Sequence, residues 1–228
     1  MANEMPDPLD VLGDDERGLL RRAARPAWQA PMLATLAKEP FSDERWIYER
    51  KLDGVRTVMV RNRGETTLWS RNHNDMTKAY PEIVQAVTPQ QPQDFVADGE
   101  IVAFDGKQTS FAKLQARINL ADPRRIPRTG VTVYVYLFDL LAFGDADLTR
   151  LPLRARKRVL RGAFGFGDRL RYSTHRNTDG EKFYVDACHR GWEGLIAKRA
   201  DASYQVGRRS RDWLKFKCVR DQEFVIGG

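Results

Sequence analysis

Lys51 lies at the end of an alternating segment, WIYERKL (46–52), and an Asp-Gly pair follows it at once. A strand carries such a lysine rigidly to its end, and the turn leads the chain out of its way. Further along, Asp98 and Glu100 flank Gly99 inside an otherwise apolar run, Glu193 opens EGLIAKR with Lys198 five residues on, and Lys215 and Lys217 alternate in WLKFK. Alternate residues of a strand share a face, so the last two lysines point the same way. On the inner face of a sheet these groups would carry a large desolvation cost unless they had partners. A cleft that receives a phosphate-bearing ligand supplies them.

An amine attacks phosphorus only when neutral, a state that nearby cations and partial burial favour. Lys215 and Lys217 could exert that effect on Lys51 and stabilise negative charge on an attacked α-phosphate. Glu100 and Glu193 could hold a ribose hydroxyl or a divalent metal, since magnesium favours carboxylate oxygens together with substrate phosphates. Phe138, in a long apolar strand, could stack on a base. Each signal alone has a plainer reading: Lys-x-Asp-Gly as a surface turn, Lys-x-Lys as a solvated strand face, Asp-Gly-Glu as a bulge and Phe138 as core.

The elements that position these residues are mostly strands. WIYERKL, VRTVMVRN and ETTLWSR alternate apolar and polar residues around turns at Asp53-Gly54 and Arg63-Gly64, the pattern of an antiparallel meander. DFVADGEIVAFD, VTVYVYLFDLLAF, EGLIAKRA and RDWLKFKC read as further strands, and DQEFVIGG begins another. Helices are expected at DDERGLLRRAAR, AYPEIVQAV, PLRARKRVLRGAF (with Pro152 at its start) and GEKFYVDACHRGW, while PAWQAPMLATL runs extended. The fold class is α+β: two largely antiparallel sheets with flanking helices.

A chain of 228 residues buries a substantial core as one large domain or two small ones. No apolar run approaches the ~20 residues that cross a bilayer. With only Cys188 and Cys218, neither a disulfide framework nor a zinc cluster is expected, and the protein reads as intracellular. The net charge is +7, yet residues 1–16 hold six acidic groups and no Lys or Arg. The body is therefore strongly basic, with clusters at 117–128, 150–171 and 198–220, which suits a polyanion such as nucleic acid or a nucleotide. His73, His175 and His189 are too dispersed for a metal site.

Taken in order, Lys51-Leu52-Asp53-Gly54-Val55-Arg56, Ser70-Arg71-Asn72, Asp98-Gly99-Glu100, Phe138-Asp139-Leu140-Leu141, Glu193-Gly194-Leu195-Ile196-Ala197-Lys198 and Trp213-Leu214-Lys215-Phe216-Lys217 resemble the nucleotidyltransferase motifs of ATP-dependent DNA ligases. The nearest likeness is to the ligase module of bacterial end-joining ligases of the ligase D type. It implies a nucleotidyltransferase (ATP-grasp-like) catalytic domain in which Lys51 attacks the α-phosphate of ATP, releases pyrophosphate and carries lysyl-AMP. The AMP then passes to a DNA 5′-phosphate and the nick is sealed, in repair or recombination by end joining.

The resemblance further implies that Glu49 helps recognise the adenine amino group, and that Arg56 and Arg71 bind ribose, phosphate or the DNA 5′-phosphate. Glu100 binds ribose, and Glu193 with Glu100 holds Mg2+, or Mn2+ in its place. Phe138 and Ile196 cover opposite faces of adenine, and Lys215 and Lys217 hold the α-phosphate. Lys198 matches its motif, or else pairs with a core carboxylate. The implied partners are nicked or broken double-stranded DNA and other end-joining factors, without a membrane, in the bacterial cytoplasm at the nucleoid.

In that family an oligonucleotide-binding (OB-fold) barrel follows Lys-x-Lys and orients the pyrophosphate. Residues 29–220 are thus expected to form the nucleotidyltransferase domain and 221–228 the start of that barrel, absent here, which would leave ATP attack and nick sealing impaired. Residues 1–28 are an acidic, then basic extension whose acidic tail is expected to be disordered or to tether another module. Capping guanylyltransferases and RNA ligases are alternatives, but the Phe-Asp-Leu-Leu and Glu-Gly-Leu-x-x-Lys forms speak against capping. NAD-dependent ligases would need a larger N-terminal domain. A non-catalytic nucleic-acid-binding module would leave Lys51 and both carboxylate motifs unexplained.

Overall fold

The computed structural model describes residues 7–218, apart from 24, 91–93, 119 and 121. In chain order the strands are β1 (Arg21–Arg22), β2 (Leu33–Leu36), β3 (Trp46–Arg50), β4 (Val55–Asn62), β5 (Glu65–Ser70), β6 (Phe95–Asp105), β7 (Gln108–Thr109), β8 (Val133–Phe143), β9 (Ala146–Asp147), β10 (Leu170–Tyr172), β11 (His175–Asn177), β12 (Gly194–Arg199) and β13 (Arg209–Lys217). The helices are α1 (Asp14–Leu19), α2 (Pro81–Val87), α3 (Phe111–Leu114), α4 (Ile126–Thr129), α5 (Leu153–Ala163) and α6 (Gly180–His189). One sheet runs β1-β9-β8-β6-β4-β5, with β10 beside β8 and β7 beside β6; the other runs β11-β3-β12-β13-β2. Pairing is antiparallel except for β10 with β8 and β13 with β2.

Strand alternation sorts the side chains into layers. On β4, Val58 and Val60 face the second sheet and meet Val96, Leu141 and Trp213, whereas Met59 faces the helices with Ile101, Leu137 and Leu160. Helix α5 buries Leu153, Ala155, Val159, Leu160 and Ala163, each Leu or Val contributing about 1.5–3 kcal/mol. Helix α6 covers the outer face of the second sheet, packing Phe183 and Ala187 against Tyr48, Leu195 and Phe216. Among the described residues no helix is long and apolar enough to cross a membrane.

Four expectations are corrected. The meander is broken at its first turn: β4 and β5 form a hairpin through Arg63-Gly64, both at positive φ, but β3 pairs with β11 and β12 in the other sheet. Asp53-Gly54 is therefore a crossing between sheets. The N-terminal helix stops at Leu19, because Arg21 and Arg22 pair with β9 instead. The acidic tail, from residue 7, is packed on the body: Leu12 is buried in the core, and Glu16 pairs with Arg158 of α5 at 2.5 Å. Cys188 and Cys218 are joined in a disulfide that ties the end of β13 to α6. The incipient strand at DQEFVIGG (221–228) lies outside the described residues.

The basic clusters are not all surface. Arg117, fully buried, holds Glu82 through two hydrogen bonds of 2.8 and 3.0 Å and donates to the Ala79 carbonyl. Arg61 donates to the Val87 and Thr88 carbonyls, capping the C-terminal end of α2. Arg156 grips Asp139 at 2.7 and 2.9 Å, with both side chains at 0% exposure. Arg156→Ala strands the Asp139 carboxylate without its cation, so a loss of about 3–5 kcal/mol is expected in urea unfolding. Replacing both residues by leucine should recover much of it.

Candidate active site

Lys51 stands where the chain leaves the second sheet for the first. Its backbone N–H donates to the Gly194 carbonyl at 2.9 Å, tying it to the start of β12. Asp53 latches the crossing: its N–H donates to Thr109 Oγ1 and its Oδ2 accepts from the Phe111 N–H, both at 3.1 Å. Gly54 lies so close to β6 that a Cβ there would collide with the Ile101 carbonyl oxygen. Gly194, at φ +143°, is likewise pressed against the Phe216 carbonyl. Both glycines are required by close backbone approach.

Strand β12 lies between β3 and β13, and directly opposed residues share a face. The register sets Glu49, Ile196 and Lys215 in one row, with Ile47, Lys198 and Trp213 in the next. The opposite wall comes from the first sheet, where Arg56 opposes Glu100. On β8 the register shifts by one residue opposite Asp98 and Gly99. This bulge aims Phe138 into the cleft while Asp139 reaches Arg156, a re-aiming that bulges commonly perform beside sites.

The charges in the cleft are closely interlocked. Lys51 Nζ is ion-paired with Glu193. Glu49, 2% exposed, accepts from Lys157 Nζ at 2.5 Å, Lys198 Nζ at 2.8 Å and Ser173 Oγ at 3.3 Å. Burial pushes the Glu49 carboxyl up, but the two lysines outweigh it and hold it below its ordinary value. Lys198 is lowered by burial and by Lys157, against the pull of Glu49. Arg56 binds Asp98 through Nε and Nη2 at 2.5 and 2.6 Å and donates to the Met32 carbonyl at 3.1 Å. Arg56 and Lys198 both lie over the Phe138 ring, at 4.7 and 4.1 Å from its centroid. Burial, only partly offset by Arg56 and Lys51, pushes Glu100 up to about 8. Lys215 is lowered by burial and then by Lys51, Arg209 and Lys217.

A protein-family model described as ATP dependent DNA ligase domain matches residues 31–217. The chain belongs to that family. The ligase domain is 36% identical over 205 residues to the "Multifunctional non-homologous end joining protein LigD" of Pseudomonas aeruginosa, covering 89% of this chain and 24% of that protein. It is 33% identical to a "Probable DNA ligase" of Beutenbergia cavernae, over 90% of this chain and 41% of the other. It thus spans well under half the length of these curated relatives. Among solved structures, a mycobacterial DNA ligase D complexed with ATP and MES superposes with a TM-score of 0.68 at 29% identity, over 83% of this chain and 60% of that one.

In the ligase domain one cleft is lined by Lys51, Glu49, Arg56, Arg71, Glu100, Phe138, Ile196, Lys198 and Lys215. Of the residues singled out from sequence, Glu193 reaches this cleft through Lys51, and Lys217 sits exposed at the end of β13 outside the lining. Sequence reasoning missed Arg50, Ser173, Arg209 and Trp213 in the lining, and Lys157 behind Glu49. Arg209 and Trp213 lay in the basic run beside Lys-x-Lys, whereas Ser173 and Lys157 carried no signal. Among the described residues no group of three or more His, Cys, Asp or Glu could hold a metal. Glu193 and Glu100 are the carboxylates beside Lys51 that would supply oxygens to magnesium, which takes one or two carboxylates and completes its shell with water and phosphate. The reluctance of Glu100 to ionise is what a bound cation would relieve.

Glu49→Gln leaves two buried lysines without their carboxylate, and a loss of about 3–5 kcal/mol at pH 7 is expected. The folded Glu49 titrates below 4.5, so its stabilisation is full above that value and fades as pH falls through it and below. Thermal melts of wild type and variant should therefore converge on acidification below about pH 4.5.

Proposed function

We propose that this ligase domain is the adenylation module of a bacterial end-joining DNA ligase, with Lys51 as the nucleophile on ATP. The observation that carries this reading is Lys51 held between two sheets, ion-paired with Glu193 in a cleft that Lys215 also lines. Phe138 and Ile196 enter from opposite walls and suit the two faces of adenine, with the Glu49 cluster at the base edge. Glu100 is placed for the ribose, and Arg56, Arg71 and Lys215 for ribose or phosphate; Lys217 would reach the α-phosphate only from the strand end.

Attack requires Lys51 to lose its proton to water, which the nearby Lys215 cation favours, while Glu193 orients the amine. The amine then forms the N–P bond to the α-phosphate while the P–O bond to pyrophosphate breaks. Lys215 stabilises the charge that gathers on the phosphate oxygens. Magnesium held by Glu193 and Glu100 would neutralise the phosphates. AMP next passes to the 5′-phosphate of nicked or broken duplex DNA, bound through Arg and Lys contacts to its backbone with little base preference. This chemistry belongs in the bacterial cytoplasm at the nucleoid, with an OB-fold domain and other end-joining factors as partners.

The test is the intact mass of the purified chain before and after incubation with ATP and magnesium. One AMP should be gained, mapped to Lys51 and absent from Lys51→Ala. An adduct formed from GTP alone would reassign the domain to capping chemistry. No adduct even when an OB-fold domain is supplied would sink the enzymatic reading.

A further inference from the structure

The turn that brings Arg71 into the cleft is fastened from behind by an aromatic stack, and we infer that His73 is the positioning residue that holds Arg71 for its phosphate or ribose partner. The inference rests on the proposed role of Arg71. Within the turn, the His73 N–H donates to the Ser70 carbonyl at 3.0 Å, and Ser70 Oγ accepts from the Asn72 and Asn74 N–H groups at 3.3 and 3.0 Å. Arg71 is exposed and its guanidinium makes no hydrogen bond among the described residues, so its position depends on the turn alone.

His73 sits at φ 62°, in the left-handed region that residues with a Cβ occupy sparsely. Such a conformation persists only where its surroundings over-determine it. Here the imidazole lies flat on the Trp28 indole, with centroids 4.1 Å apart and planes 15° from parallel, and leans on Trp69 at 4.6 Å. Both tryptophans pack on the apolar layer between the sheets, which contains Phe138 and Trp213. One side of the turn thus offers Arg71 to the cleft, while the other is keyed to the layer that carries Phe138. Arg71 and the adenine-facing ring share one frame. Without the imidazole the turn keeps its internal hydrogen bonds but loses its attachment to that layer.

His73→Asn separates ring from backbone, because asparagine tolerates left-handed φ but cannot stack. Lysyl-AMP formation, followed by intact mass across ATP concentrations, should lose about tenfold in kcat/KM, mainly through KM. Amide hydrogen exchange of residues 70–75 should accelerate. Added to Arg71→Ala, the His73→Asn change should cost nothing further, since both act through one guanidinium. Losses that multiply in the double variant would overturn the inference. So would unchanged kcat/KM in His73→Asn, or a lower melting temperature without faster local exchange. If the wild-type chain forms no adduct even with an OB-fold domain supplied, the proposed function fails instead, and the exchange comparison alone decides whether His73 fastens the turn.

Discussion

The structure depends on a single crossing. Between Lys51 and Gly54 the chain leaves one sheet and enters the other, and the room for that passage is set by backbone contact: Gly54 against β6, Gly194 against β13. Asp53, fixed to Thr109 and Phe111, keeps the crossing from sliding. Had β3 and β4 closed as a hairpin, Lys51 would stand at the rim of one sheet. Because they part there, its amine lies between two walls, and each later element of the cleft is placed relative to that point.

The walls carry unbalanced charge by design of their pairing. Carboxylates are matched to cations one at a time, Asp98 to Arg56, Asp139 to Arg156 and Glu193 to Lys51, while Glu49 answers two lysines at once. Arg71, Arg209 and Lys215 line the same cleft, which therefore presents surplus positive charge against Phe138 and Ile196. An anionic nucleotide completes the set, with its flat base against the apolar faces and its phosphates towards Lys51 and Lys215. The same groups that would make an empty core unstable become complementary once such a ligand enters.

Much of this was legible in the sequence, and the failures have physical causes. Two-residue alternation shows that a segment is a strand and which residues share a face, so WIYERKL and WLKFK gave their side-chain directions correctly. It does not show which strand lies alongside, and Asp-Gly reads the same in a hairpin as in a crossing between sheets. Charge was the other blind spot. A helix written PLRARKRVL looks solvated, but Arg156 and Lys157 turn inward because Asp139 and Glu49, distant in sequence, wait for them. His73 resembled any loop histidine, since neither its left-handed backbone nor its two tryptophan neighbours leave a local trace.

The disulfide between Cys188 and Cys218 has a mechanical consequence. With the bridge closed, tension on the chain beyond Cys218 is borne by α6 and does not unzip β13 from its end. Lys215 then keeps its register against Ile196 under that load. With the bridge open, the same pull acts directly on the hydrogen bonds of the strand that carries Lys215, and the lever arm ends three residues from it.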